Sequence, residues 1–281
     1  MADKVKNLTD ILCDGTVETE IKSGNVALKN KAYEQAWEHF YKVYNAKDTT
    51  NDEKGWACYE LFTVMTELPL TDPFLKKLIS IDPDLIRMSK TKEISNEYAR
   101  RYIGRKYLEK SAQYNYKNGL IEYGLSCVDC APQGGFPYKF NEENASSGLD
   151  WAHIMKKSDD REVRAAAYII YSKYYFVKRT EELNQGASRD GETNVVKEYG
   201  DNAIRASKDA PNDQYVNYFL AHLYANPLFK GYKKGAYYNP KKGYELFCKV
   251  LETGNDPELM KSAREVKYML ETKYPTRIGK R

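Results

Sequence analysis

The sequence predicts an all-α fold in which helical hairpins stack into a right-handed solenoid, an α-α superhelix. Apolar residues recur at spacings of three and four in several segments, as on the buried face of a helix. No segment alternates apolar and polar residues as a half-buried strand does. The 281 residues are 42% hydrophobic and 30% charged, which is the composition of a folded globular chain. We therefore predict a single helical domain over residues 1–281.

Charge, hydropathy and cysteine content exclude several classes of protein. The 44 basic and 40 acidic residues leave a net charge of +4, which is too small to predict nucleic-acid binding. The N-terminus lacks the apolar core of a signal peptide, and no stretch of about 20 apolar residues is present to span a membrane. Five scattered cysteines do not form a disulfide framework. The sequence therefore predicts a cytoplasmic protein without a membrane span.

The first hairpin is predicted over residues 24–43. Asn30 and Lys31 form its turn, and Gly24 is a small residue that lets the two helices approach closely. The second helix carries an apolar face at spacings of three and four, which comprises Tyr33, Ala36, Phe40 and Val43. An apolar face of this kind requires another helix to cover it.

The spacing of these residues resembles that of the tetratricopeptide repeat. Gly24, Tyr33, Ala36 and Phe40 stand at its characteristic positions, whereas Val43 replaces the usual alanine. The resemblance implies a solenoid of helical hairpins whose concave face binds a peptide, a helix or a folded protein.

A second segment, residues 242–255, resembles the second helix of the related Sel-one-like repeat. Gly243 and Val250 stand where that repeat has alanines. The helix before it is predicted over residues 215–224, and the insertion between the two, residues 226–239, is longer than the usual loop of the family.

The remaining elements follow from periodicity and from helix-end signals. Asp72 and Asp82, each followed by a proline, predict the starts of two short helices. A weaker repeat signal covers residues 50–150, and insertion loops are predicted near 131–147, 179–193 and 226–240. Further helices are predicted over residues 56–67, 95–108, 114–127, 162–178, 194–207 and 257–273, the last as a terminal capping helix.

Cysteines and histidines provide no complete metal or catalytic motif. Cys127 and Cys130 have the spacing of half a zinc site, but His153 is the nearest histidine and no second pair of ligands follows. His39 and His222 lie in predicted helices without a catalytic partner at a recognisable spacing. We therefore expect no catalytic residue, no cofactor and no metal.

Tyrosine is unusually abundant, with 25 tyrosines against 9 phenylalanines and 3 tryptophans. Tyr168, Tyr171 and Tyr174 are spaced to share one face of a helix, and Tyr175 follows them. Because tyrosine combines an apolar ring with a polar hydroxyl group, it is common at protein interfaces and also fills space between packed helices. We predict that Tyr168, Tyr171 and Tyr174 contact a partner, with core packing as the alternative.

The segment 229–242 combines five lysines and four aromatic residues with no acidic residue. Such a segment suits an acidic protein surface or single-stranded nucleic acid, and the alternative is a solvated loop between two helices. A protein partner is favoured, because acidic residues follow closely in the sequence and would repel a phosphate backbone. The candidate contact residues here are Tyr232, Lys233, Lys234, Tyr237, Lys241 and Lys242.

Together these patterns predict a non-catalytic interaction module, a scaffold or adaptor that binds a protein or peptide partner on its concave face. The alternative is a regulatory sensor that encloses a small molecule or a signal peptide and so controls another protein. The predicted fold does not by itself identify the partner.

Overall fold

A computed structural model of the chain describes residues 16–91, 93–128, 142–184, 186, 194–225 and 237–279. These residues form thirteen α-helices and one short 3-10 helix, and none of them belongs to a β-strand. The all-α prediction is therefore confirmed over the described residues. Close contacts divide the chain into two compact units, here called unit 1, which ends at Tyr123, and unit 2, which begins at Gly124.

The boundary between the units lies inside the seventh helix. The first seven helices are α1 Val17–Lys29, α2 Tyr33–Asn45, α3 Asn51–Glu67, α4 Pro73–Ile81, α5 Pro83–Ser89, α6 Asn96–Gln113 and α7 Lys117–Val128. Unit 2 continues with α8 Glu142–Met155, α9 Arg161–Asn184, α10 Asn194–Asp209, α11 Gln214–Ala225, α12 Pro240–Thr253, α13 Pro257–Lys273 and the 3-10 helix Pro275–Ile278. None of the helices over the described ranges combines the length and the apolar character needed to cross a lipid bilayer.

The first predicted hairpin is present as α1 and α2. The two helices pack against each other, and a Cβ atom at Gly24 would lie only 2.4 Å from Cε1 of Phe40, so glycine is required there. Ala36, Phe40 and Val43 are buried in the core of unit 1, and Lys31 turns the chain with a left-handed φ of 59°. The predicted helices, turn and apolar face are therefore confirmed.

Side chains cap the helices that follow. The Thr50 hydroxyl accepts a hydrogen bond from the backbone N–H of Glu53, whose carboxylate accepts one from the backbone N–H of Thr50, so α3 begins with a capping box. Asp72 and Asp82 accept hydrogen bonds from backbone N–H groups in the first turns of α4 and α5, at 2.8 and 3.0 Å. The two short helices predicted from these aspartates are confirmed.

The second predicted hairpin is present in unit 2 as α11 and α12. A Cβ atom at Gly243 would lie 2.9 Å from the backbone oxygen of Ala221 and 2.9 Å from the backbone nitrogen of Ala225. Because these are backbone atoms, the alanine of Sel-one-like repeats does not fit here without a shift of α11. Phe247 and Val250 of α12 are fully buried beside this contact.

Helical structure extends into two of the predicted insertion loops. α9 continues to Asn184, and α8 begins at Glu142, inside the loop predicted near 131–147. Serines and glycine in α8 are weak helix formers, which favours a loop on propensity alone. Yet a Cβ atom at Gly148 would lie 2.7 Å from Cγ1 of Val128 in α7, so packing requires a residue without a side chain. Tertiary contact thus outweighs local preference at this point.

Candidate functional site

An open cavity of about 410 Å³ lies in unit 2 among the end of α8, α9 and α10. Its lining is aromatic and polar, with no aliphatic side chain. The lining residues are Lys156, Lys157, Tyr168, Tyr171, Tyr175, Glu198, Asn202 and Arg205.

The two helices that carry most of this lining are held together by hydrogen bonds and close packing. Arg164, near the start of α9, donates to both carboxylate oxygens of Asp209 at the end of α10, at 3.4 and 3.1 Å. Near the middle of α9, the buried Ser172 hydroxyl donates to the backbone carbonyl of Tyr199 in α10 at 2.9 Å. The antiparallel pair therefore presents the cavity side chains from a rigid frame.

Three tyrosines of α9 form one wall of the cavity. Tyr168, Tyr171 and Tyr175 follow at spacings of three and four, are half-buried, and make no hydrogen bond through their hydroxyl groups to any described residue. Burial raises the pKa of Tyr171 and of Tyr175 above the usual value, and the neighbouring Glu198 carboxylate adds to the shift of Tyr175. The Tyr171 and Tyr175 phenols therefore keep their protons at neutral pH and remain hydrogen-bond donors.

Cations flank the tyrosine wall on both sides. Lys156, just after α8, places its ammonium group 5.7 Å from the ring centroid of Tyr171, and Arg205 of α10 places its guanidinium 6.0 Å from that of Tyr168. Lys156, Lys157 and Arg205 form no salt bridge with any residue that the structure describes. These cations are therefore not neutralised by the described part of the chain.

One carboxylate and one amide complete the lining. The amide nitrogen of Asn202 donates to the Glu198 backbone carbonyl at 2.7 Å and approaches the Glu198 carboxylate at 3.4 Å. Asn202 is buried, whereas Glu198 is only half-buried. The cavity thus combines three cations and three phenols with a single anionic group.

The structure brings two of the three predicted α9 contact tyrosines to this cavity. Tyr168 and Tyr171 line it, whereas Tyr174 is not among the lining residues. The ring of Tyr174 instead lies 5.3 Å from that of Tyr175, with the Lys178 ammonium 5.9 Å from its centroid. The helical face that lines the cavity therefore runs from Tyr168 through Tyr171 to Tyr175, because residues seven apart lie almost in line on a helix.

Tyr237 belongs to the core of unit 2. It is 4% exposed, its hydroxyl group is hydrogen-bonded to the Asp201 carboxylate, and its ring covers Gly200, where a Cβ atom would lie 2.6 Å away. The predicted partner contact through Tyr237 therefore differs from what the structure shows, since its apolar ring fills space between α10 and the start of α12.

The candidate lysines next to Tyr237 differ from each other. Lys241 and Lys242 are both exposed, but only Lys242 has a contact within the described residues: its ammonium donates to the Tyr224 hydroxyl group at 2.9 Å and lies 4.3 Å from the centroid of that ring. The remaining candidates of this segment, Tyr232, Lys233 and Lys234, lie outside the described residues.

Unit 1 contains a second and smaller cavity of about 200 Å³, between α2, α6 and the junction of α4 with α5. Its lining is mainly aromatic and aliphatic, with Trp37, Tyr41, Tyr44, Leu78, Ile81, Asp82, Pro83, Ile103, Lys106, Tyr107 and Lys110. Lys106 donates to Asp82 at 3.0 Å and lies 3.6 Å from Asp84, while Lys110 donates to the Tyr44 hydroxyl group at 2.9 Å. Both lysines of this cavity therefore have partners within the unit.

The histidines also differ between the units. In unit 1, Nδ1 of His39 lies 2.6 Å from the carboxylate of the buried Glu20. In unit 2, His222 packs between Tyr218 and Phe247, with ring centroids 4.5 and 5.1 Å away. Its Nε2 has no hydrogen-bond partner among the described residues, and burial lowers the pKa of His222 to about 4.

No set of three or more His, Cys, Asp or Glu side chains suited to a metal ion occurs within the described ranges. Cys127 is buried in α7, and Cys130 lies outside the described residues. The expectation that the pair binds no metal stays a prediction.

The charged residues of the unit 2 cavity were not among those predicted from the sequence. The available signal was the spacing of Glu198, Asn202 and Arg205, which follow at intervals of four and three on α10. Nothing in the sequence indicates that this face of α10 meets the tyrosine face of α9.

The resemblance to tetratricopeptide and Sel-one-like repeats stays a prediction, because no protein-family model, no curated protein and no solved structure matches this chain.

Proposed function

We propose that this chain is a non-catalytic interaction module that binds a protein or peptide partner in the unit 2 cavity. Tyrosine and arginine are among the residues that most often dominate the binding energy at protein interfaces. The proposal rests on one observation, which is that Tyr168, Tyr171, Tyr175 and Arg205 converge on an open cavity without hydrogen-bonding or ion-pair partners among the described residues. Side chains with such unused binding capacity are available to a partner.

We also propose that unit 2 is part of a solenoid of stacked helical hairpins, as the repeat resemblance implies. Support comes from the order of contacts, since each helix from α8 to α13 packs on the next one in the chain. In addition, α11 contacts both α9 and α13, the helices two positions before and after it. Packing between near neighbours in the chain is typical of helical repeats.

Site-specific photo-crosslinking tests partner binding. A benzophenone amino acid replaces Lys157, which is exposed at the cavity, and the chain is irradiated in an extract of its own cells. We expect a discrete protein adduct, in which mass spectrometry identifies one segment of one partner. Adding Tyr171→Ala should reduce the yield by about 10-fold or more, because a central interface aromatic contributes about 2 kcal/mol.

The matched control places the same crosslinker at Tyr268, which is 68% exposed on α13. It should not yield the same adduct. An identical adduct from both positions, or an adduct from position 157 that Tyr171→Ala leaves unchanged, would contradict binding in the cavity. Circular dichroism of each variant excludes loss of the fold as the cause.

The second candidate function is a regulatory sensor for a small molecule. It is favoured by the size of the cavity, because about 410 Å³ falls within the range of ligand pockets. In that case the crosslinker at position 157 yields no protein adduct. A metabolite fraction of the extract would then raise the melting temperature of the wild-type chain but not that of Tyr171→Ala.

A further inference from the structure

The unit 2 cavity has an excess of positive charge. Lys156, Lys157 and Arg205 contribute three positive charges and Glu198 one negative charge, so the lining has a net charge of 3 − 1 = +2. A phosphate monoester has a charge of about −1.5 to −2 at neutral pH, whereas a carboxylate has −1. The charge of the lining therefore matches a single phosphate group more closely than a single carboxylate.

Another arginine of unit 2, Arg164, is neutralised by a carboxylate and provides a comparison for Arg205. Arg164, on the same helix as the tyrosine wall, is held by both oxygens of Asp209. Arg205, on the facing helix, has no such carboxylate among the described residues and rests beside the Tyr168 ring. The N–H groups of the Arg205 guanidinium therefore have no hydrogen-bond acceptor among the described residues. Two of them can donate in parallel to one phosphate group.

The number of donors also favours phosphate. The hydroxyl groups of Tyr168, Tyr171 and Tyr175 have no described acceptor, and they add to the N–H donors of Lys156 and Arg205. A phosphate monoester offers three terminal oxygens to such donors, whereas a carboxylate offers two. The tyrosine rings in turn provide an aromatic wall for the side chain that carries the phosphate.

We infer that the unit 2 cavity recognises a phosphorylated side chain of the partner, and that Lys156, Arg205 and the tyrosine hydroxyl groups bind the phosphate. The inference rests on the proposed function, because it specifies the chemistry of the peptide bound at the same site. Partner binding then depends on the phosphorylation state of the partner.

Binding of degenerate peptide pools tests the inference directly. Fluorescein-labelled pools have a fixed central phosphoserine or phosphotyrosine, and matched pools have serine, tyrosine or glutamate at that position. We expect anisotropy titrations of the full chain to show at least about 10-fold tighter binding of one phosphorylated pool than of its matched pools. Equal affinity for the glutamate pool would indicate a general anion site and overturn the inference.

Charge-neutralising variants locate the contact. Arg205→Gln and Lys156→Gln should each weaken binding of the phosphorylated pool by about 5- to 10-fold and weaken binding of the unphosphorylated pool by a smaller factor, so that the preference for phosphate falls. Lys208→Gln is the matched control, because Lys208 is exposed on the same helix as Arg205 but does not line the cavity. An equal loss of affinity in Lys208→Gln would show non-specific attraction and contradict a phosphate site.

Two further experiments distinguish a phosphorylated partner from a small phosphate ester and from an unphosphorylated partner. Phenyl phosphate that binds as tightly as the phosphorylated pool would identify a small phosphate ester as the ligand and overturn the peptide assignment. Phosphatase treatment of the extract should abolish the protein adduct at position 157. An adduct that survives this treatment would overturn the phosphate inference while the proposed partner binding stands, and the absence of any adduct before treatment would contradict both.

Discussion

The two cavities use the same types of residue but leave their cations in different states. In unit 1, Lys106 is paired with Asp82 at 3.0 Å, and Lys110 is hydrogen-bonded to Tyr44 at 2.9 Å. In unit 2, Lys156 and Arg205 lie beside tyrosine rings without an anionic partner among the described residues. Tyrosine next to lysine or arginine therefore does not by itself identify a binding site. What distinguishes the two cavities is whether the charged group has a partner within the described residues.

This difference has an energetic consequence. A charged group with a partly buried partner contributes to folding, and its removal leaves that partner unsatisfied. A charged group without a partner contributes little to folding, so its replacement should be almost neutral for stability. The cavity of unit 1 is thus expected to respond to substitution in stability, and the cavity of unit 2 in binding.

The largest expected effect is the loss of stability when a core phenylalanine of either unit is truncated. Phe40 of unit 1 and Phe247 of unit 2 are both 0% exposed. We expect Phe40→Ala and Phe247→Ala each to lower the free energy of unfolding by about 3 to 5 kcal/mol, through lost burial and a residual cavity. Urea titration measures both, with Tyr268→Ala as the exposed control. A cost below about 1 kcal/mol for either variant would show that its unit lacks the tightly packed core described above.

The next largest effect is a loss of stability in acid that we expect from His222, the histidine of unit 2 whose Nε2 atom is buried. An unfolded histidine binds a proton near pH 6.5, whereas the folded His222 does so only near pH 4, so protonation favours unfolding as the pH falls between these values. The wild-type chain should therefore lose about 2 kcal/mol of stability between about pH 7.5 and pH 5 relative to His222→Leu.

Urea titrations at both pH values measure this loss. His153→Gln should behave like the wild-type chain, because His153 is exposed. If His222→Leu retained the full pH dependence, burial of an unpartnered imidazole would not be its cause.

The smallest expected effect is the difference in stability cost between one substitution in each cavity. Asp82 pairs with Lys106 and also caps α5, so Asp82→Ala should cost about 1 to 2 kcal/mol of stability. Arg205→Gln should change stability by less than about 0.5 kcal/mol. Thermal and urea unfolding of the two variants side by side tests this difference. Equal losses in both would mean that Arg205 is used by the fold, which would remove the basis for a binding role.

Much of the local structure is predictable because its causes are local. Asp72 and Asp82 start the short helices through side-chain hydrogen bonds within the next three residues. The last α-helix, α13, has the predicted bounds, Pro257–Lys273, because proline at its start and an apolar stripe along it are both visible in the sequence. Such signals involve only residues within one or two turns of each other.

The candidate site is less predictable because its residues come from two helices and from the turn that follows a third. Tyr168 and Tyr171 are identified from spacing on one helix, but Lys156 reaches them from the turn after α8 and Arg205 from α10. The same distinction applies to Tyr237, whose place in a lysine-rich segment suggests exposure although the structure buries it on Gly200. Only the packing of one helix on another determines which of these side chains meet.

The amino-acid sequence was enough to predict that the described residues are helical, where most of the helices begin, and that α2 and α13 each have an apolar face. These properties depend on hydrogen bonds and periodicity within single helices. The tertiary structure alone decided that Tyr175 rather than Tyr174 completes the cavity wall, and that the cations beside it have no described counterion. It did so because burial and charge pairing depend on residues that are distant in the chain and adjacent in space.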